Sequence, residues 1–181
     1  TTVAAPDLSD TRQHRRALLV VAARLAAIAI VAFTVYAFMP VTDVGNAEVF
    51  VRLLACLLAF FLAIGWQVRT ILVSPQPRLK AAEALGTAIV LLIVIFAYSY
   101  LTLSESDVAS FTQPLDRAAS VYFTLTVLAT VGFGDITPVS GVARLVASAQ
   151  MVLDLVVIGL VVRILFNAAQ QGMSRRDPQP E

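Results

Sequence analysis

Thr130-Val131-Gly132-Phe133-Gly134-Asp135 is the stretch on which the reading of the whole chain turns. Glycine stands at every second position of its centre, and glycine takes positive φ without the steric penalty other residues meet. A backbone that alternates in this way can turn successive carbonyls toward one side, where an ordinary strand points them to both. Several such stretches around an axis would stack rings of oxygen from Thr130, Val131, Gly132 and Phe133, with the Thr130 hydroxyl adding an innermost ring. Oxygen rings of that kind can replace the water around a bare cation.

The neighbours of this hexapeptide support an intramembrane setting. Directly before it runs Ala118 to Thr130, which is apolar but well short of the roughly 20 residues needed to cross about 30 Å of hydrocarbon. Such a segment packs inside protein or dips in and returns. Full-length apolar runs flank it: Ala84–Leu103 before and Gly141–Phe166 after. Non-helical backbone at membrane depth is tolerated only where protein encloses it or it lines water, and these three segments supply the enclosure. Farther out lie two more runs, Ala17–Met39, ended by Pro40, and Val49–Val73, ended by Ser74-Pro75-Gln76-Pro77.

Composition agrees. Of 181 residues 59% are hydrophobic and only 14% charged, with a mean hydropathy of +0.83. A soluble domain carries about 25% charged residues. The fold class is therefore all-α integral membrane, with four transmembrane helices, a re-entrant short helix and an extended segment after it. A net charge of +1 offers no field for nucleic acid. The one cysteine, Cys56, has no partner for a disulfide and is expected to be a small core residue. His14, alone in a basic stretch, makes no metal site, and no catalytic constellation is visible. The polar stretch Thr1–Gln13 is expected to be frayed.

Lys and Arg set orientation. Arg12, Arg15 and Arg16 precede the first span, Arg69, Arg78 and Lys80 lie around the second linker, and Arg175 and Arg176 follow the last span. An even number of spans puts all three groups on one side, expected to be the cytoplasm. The opposite loops carry Asp43, Glu48, Glu105, Asp107 and Asp116, with Arg117 as the exception. Both termini are expected to be cytoplasmic and the protein to lie in the cell membrane.

The hexapeptide resembles the selectivity filter of tetrameric potassium channels, in a variant with phenylalanine where tyrosine is more common. The order of outer helix, pore helix, filter and inner helix over Ala84–Phe166 is similar to that family too. The resemblance implies passive, potassium-selective conduction through a homotetramer, one filter coming from each chain and its partners being three identical subunits, membrane lipid and potassium ions. It implies potassium at Thr130, Val131, Gly132 and Phe133, with Gly134 closing the filter, and no cofactor besides the permeant ion. Tyr122 and Phe123 fall where the family has an aromatic pair cuffing the filter, and Asp135 falls where the family bonds one of them. The implied arrangement has the Tyr122 hydroxyl bonding Asp135 and bracing the filter; an interfacial aromatic is the plainer alternative. The pore helix is expected to aim its negative C-terminal end at the pore centre.

The last span departs from the family, whose glycine hinge 20 residues beyond the final filter glycine falls here on Asp154. A carboxylate in a span costs about 2.5–3.5 kcal/mol, so it is usually paired or functional. Two readings stand for Asp154. It faces the cavity, concentrating cations and attracting blockers, or it packs behind the filter, accepting from hydroxyls such as Thr124 or Thr126. Gly159 offers a displaced bend or close packing. Leu155, Ile158 and Val162 by resemblance line the lower cavity as an apolar gate, with ordinary helix packing as the alternative. Arg24, Arg52 and Arg69 are too scattered for a voltage sensor, and Arg24 is expected to snorkel. The expected organisation is a cytoplasmic segment at 1–16, a two-helix membrane domain and linker at 17–80, a pore domain at 81–168 and a cytoplasmic tail at 169–181.

Overall fold

The computed structural model describes residues 8–40, 46–72 and 77–173. Five α-helices follow one another: α1 (Leu8–Phe38), α2 (Asn46–Leu72), α3 (Pro77–Ser106), α4 (Arg117–Leu128) and α5 (Gly141–Met173), with a 3₁₀ turn at Val108–Ser110. Among the described residues the only strand-like pairing is the isolated bridge between Phe111 and Pro138. Among the described residues four helices are long and apolar enough to cross a membrane, over Arg16–Phe38, Ala47–Gln67, Leu79–Ser106 and Gly141–Arg163. The fifth, α4, has 12 residues and reaches about 18 Å at 1.5 Å per residue, too short to span. The chain is an all-helical membrane protein with a short helix held between its last two spans in sequence.

Helix boundaries run past the apolar runs. The N-terminal stretch expected to fray is helical from Leu8. Helix α3 starts at Pro77, because a proline at the first helical position gives up an N–H that would have no partner anyway. Helix α5 continues to Met173 through Ala168-Ala169-Gln170-Gln171, good helix formers that need no lipid around them. The expectations for residues 1–7, for Asp43, for Ser74-Pro75-Gln76 and for the tail from Ser174 with Arg175 and Arg176 lie outside the described residues.

Two compact units are present, one of α1 with Arg52–Ile95, the other of the start of α2 with Phe96 onward. Their division falls inside the continuous helices α2 and α3. In the first unit Gly86 of α3 lets α1 come close, since a Cβ there would sit 2.9 Å from the Leu25 side chain. Arg24 does not simply snorkel: its guanidinium lies 3.4 Å from Glu83 of α3, which also takes Lys80 at 2.9 Å. Cys56 is exposed on α2, not in a core, since it lies on a helix face that this unit leaves uncovered.

The second unit is built around Phe96, Tyr100 and Leu103 of α3, all fully buried. On α5 Ala143, Val146, Ala147, Gln150, Asp154 and Val157 are buried, a stripe at three- and four-residue spacing. Two acidic residues of the chain between α3 and α4 are helix caps. Asp107 accepts from the Ala109 N–H at 3.0 Å, and Asp116 accepts from the Ala119 N–H at 2.7 Å, where the dipole of α4 favours a negative charge.

Candidate ion-conducting site

Helix α4 ends where its backbone begins to be used by the chain that follows. The last carbonyls of any helix have no partner within it. Here the Thr126 carbonyl accepts from the N–H groups of both Val131 and Gly132, at 3.0 and 3.2 Å, and the Val127 carbonyl accepts from Thr130 at 2.9 Å. A trans peptide points its C=O opposite to its N–H. With these N–H groups hooked onto α4 and no cis peptides among the described residues, the carbonyls of Ala129, Thr130 and Val131 are turned away from the helix.

Alternating backbone carries this on. Positive φ occurs at Thr130 (56°), Gly132 (51°) and Gly134 (80°), at every second residue. At the glycines this conformation has no steric cost. At Thr130, β-branched, it is a strained outlier. Strain of this kind persists where surrounding bonds over-determine the backbone, and the hooks from Thr130, Val131 and Gly132 onto α4 provide that here. Reading the glycines anticipated two of the three positions; nothing in a threonine announces the third. Thr130 through Asp135 are exposed in the single chain, so this face is free to meet other molecules.

The C-terminal end of the segment is pinned separately. The Thr112 N–H donates to the Thr137 carbonyl at 3.1 Å, and the Thr112 hydroxyl accepts from the Thr137 N–H at 3.1 Å. The same hydroxyl donates to the Asp135 carbonyl at 3.3 Å, and the Val139 N–H reaches the Ser110 carbonyl at 2.8 Å. Thr112, not singled out from sequence, thus ties the loop before α4 to the chain just after Gly134.

Tyr122 and Phe123 do different things. Tyr122 donates its hydroxyl to Asp135 Oδ2 at 2.9 Å and stacks on Phe133, with planes 4° apart and centroids 6.4 Å apart. The bond to Asp135 raises the phenol above its ordinary pKa. Phe123 does not cuff the hexapeptide. Neighbours on a helix are about 100° apart, and with Tyr122 facing the segment, Phe123 turns inward. It is buried in edge-to-face contact with Tyr100 at 4.8 Å and Phe111 at 5.6 Å.

Asp154 is 2% exposed within one chain. Neither expected hydroxyl reaches it. Thr124 donates to the Ser120 carbonyl and Thr126 to the Phe123 carbonyl, each within its own helix, as threonines in helices commonly do. The donor is Gln150 instead, whose Nε2 lies 3.1 Å from Asp154 Oδ2 and 3.0 Å from the Thr124 carbonyl. The Tyr100 hydroxyl completes the group by donating to Gln150 Oε1 at 2.6 Å. Gln150 was legible as a polar residue four before Asp154, and therefore on the same helix face. Leu155, Ile158, Gly159 and Val162 are all exposed along α5, and an added Cβ at Gly159 would touch nothing in the chain.

A short helix whose C-terminal carbonyls hold a run of N–H groups, followed by alternating left-handed backbone between two membrane spans, is the architecture of a pore loop. Residues 88–171 match the family model described as an ion channel. A stretch of 58 residues is 38% identical to a protein of Rhodopseudomonas palustris (strain ATCC BAA-98 / CGA009) named as a proposed potassium channel. That stretch covers 32% of this chain and 14% of the relative's own length. No solved structure gives a significant match. The second half of the chain is thus similar to ion channels.

Proposed function

We propose that four copies of this chain surround one pore that conducts potassium selectively and passively across the cell membrane. The observation that carries the reading is the pairing of Thr130, Val131 and Gly132 N–H groups with α4 alongside positive φ at alternate residues. This leaves a row of carbonyls pointing away from the helix. Four such rows around an axis would form stacked rings from Thr130, Val131, Gly132 and Phe133, each replacing part of the hydration shell of a potassium ion, with ions in adjacent sites repelling one another onward. Potassium is then the cargo, and no cofactor is required. One hexapeptide per chain makes the assembly a homotetramer.

Leu155, Ile158 and Val162, apolar and exposed on α5, would line the inner cavity of that assembly as a dewetting constriction, with Gly159 between them. The arginines and lysines on one side of the spans put both termini in the cytoplasm.

Purified chain in liposomes is expected to pass potassium, to be blocked by barium, and to give a reversal potential in mixed potassium and sodium that follows potassium. A reversal potential near the midpoint would make it a weakly selective cation channel; no flux at all would leave a non-conducting protein with a pore fold. Tyr122→Phe tests the brace. It deletes one hydrogen bond to a carboxylate at an exposed site, where solvent screening keeps the contribution to stability small. Currents from Tyr122→Phe are expected to decline faster under sustained conduction, with little change in melting temperature. Unchanged decay would reduce Tyr122 to an interfacial aromatic.

A further inference from the structure

We infer that Gln150 is a positioning residue for the pore: its buried carboxamide ties the middle of α4 to both flanking spans and so sets where α4 holds the conducting segment. This rests on the channel reading above and adds a residue to its machinery.

Gln150 is 1% exposed and makes three bonds, each to a different kind of group. The Thr124 carbonyl can only accept, so the Nε2 end of the amide must face it at 3.0 Å. Asp154 Oδ2 accepts from the same nitrogen at 3.1 Å. That leaves Oε1 as acceptor, and the Tyr100 hydroxyl, able to donate or accept, donates to it at 2.6 Å. The direction of every bond follows, and the amide has one orientation. Tyr100 belongs to α3, Thr124 to α4, and Gln150 and Asp154 to α5, so a single side chain joins three helices.

Its grip on α4 is close to the conducting backbone. Thr124 lies two residues before Thr126, whose carbonyl holds both Val131 and Gly132. A displacement of α4 at Thr124 is carried rigidly into those two N–H groups, and with them into the carbonyls of Thr130 and Val131. Asp154 fits the same role. Its Oδ1 is buried with no partner among the described residues, an arrangement poor for stability alone but sufficient to fix the amide. An ordinary packing residue would not need a polar hub here, because an apolar side chain would fill the volume without leaving orphaned groups.

The experiment compares Gln150→Leu with the triple variant Tyr100→Phe, Gln150→Leu, Asp154→Ala. The single variant leaves the Tyr100 hydroxyl and Asp154 Oδ2 without the amide and is expected to lose thermal stability. The triple variant removes two orphaned partners along with the amide and is expected to recover most of that stability. If Gln150 positions α4, its potassium-over-sodium permeability ratio nevertheless falls roughly tenfold, the scale of effect a sub-ångström to 1 Å misplacement brings. Hydrogen exchange is expected to rise in parallel at amides of residues 124–132 and not in α3. A triple variant with native stability, an unchanged permeability ratio and unchanged exchange at 124–132 overturns the proposal. Should the variants carrying Gln150→Leu fail to assemble, Tyr100→Phe alone decides, since it deletes one bond and no volume: the ratio and the exchange must move in the same direction, and their constancy is equally fatal. If the unmodified chain passes no potassium, the channel reading fails, while exchange at 124–132 still judges the positioning role.

Discussion

Replacing Gly132 with alanine is expected to abolish potassium flux while leaving the helical assembly intact. The Gly132 backbone sits at φ 51°, and a Cβ there would meet no atom of its own chain within 4 Å. The penalty is therefore conformational, about 1–2 kcal/mol for an alanine held in the left-handed region. In the proposed tetramer it is incurred four times around one ring, about 4–8 kcal/mol in all. The residue can escape it by rotating its peptide, which pulls the Gly132 N–H off the Thr126 carbonyl and swings the Val131 carbonyl out of line. Either outcome spoils an ion site. At about 1.4 kcal/mol per tenfold, a loss of roughly a hundredfold or more in liposome flux follows. Circular dichroism and the oligomer size in detergent should stay as they are, since no helix contains Gly132. Flux close to that of the unaltered chain would mean that this backbone does not conduct.

Phe123→Ala should act in the opposite sense, on stability first. Phe123 is 4% exposed and closes an aromatic triangle with Tyr100 and Phe111, the third side of which measures 5.8 Å between centroids. Truncating a buried phenylalanine costs about 3–5 kcal/mol, the transfer of the ring plus the cavity it leaves. The triangle joins α3, the loop after it and α4, so the whole unit should melt earlier, and Phe123→Leu should recover much of the loss. Its neighbour offers an internal control. Tyr122 is 37% exposed, and Tyr122→Phe is expected to alter current decay with little shift in melting. If thermal melts in detergent show Phe123→Ala no less stable than Tyr122→Phe, the inward packing of Phe123 is not what holds this unit together.

Together the two cases show how adjacent residues of like type divide between tasks. Sequence resemblance assigned Tyr122 and Phe123 to one duty around the hexapeptide. In this chain α4 turns Tyr122 to Phe133 and Asp135 and Phe123 to Tyr100 and Phe111, since successive side chains diverge by about 100°. Which of them turned toward Phe133 and Asp135 depended on where α3 and the Phe111 loop lay.

Much of the architecture was legible beforehand, and for a physical reason. Lipid offers no hydrogen bonds, so a membrane chain must use apolar helices of a set minimum length, and four such runs with one short segment between the last two can be counted directly from the residues. Gly132 and Gly134 declared their positive φ because few other residues adopt it cheaply. The rest was decided by hydrogen bonds that residue type does not announce. The strained φ of Thr130 arises where N–H groups are captured by the carbonyls at the end of α4, only a few residues earlier, a constraint not encoded in a threonine. Asp154 admitted a wet and a dry reading until the packing of α5 buried it and supplied Gln150 as its donor. The Glu83 that receives Arg24 stands 59 residues away in the chain. Periodicity and glycine content are local properties, written into any short stretch. A hydrogen-bond partner is a matter of which helix lies opposite, and only the folded chain settles that.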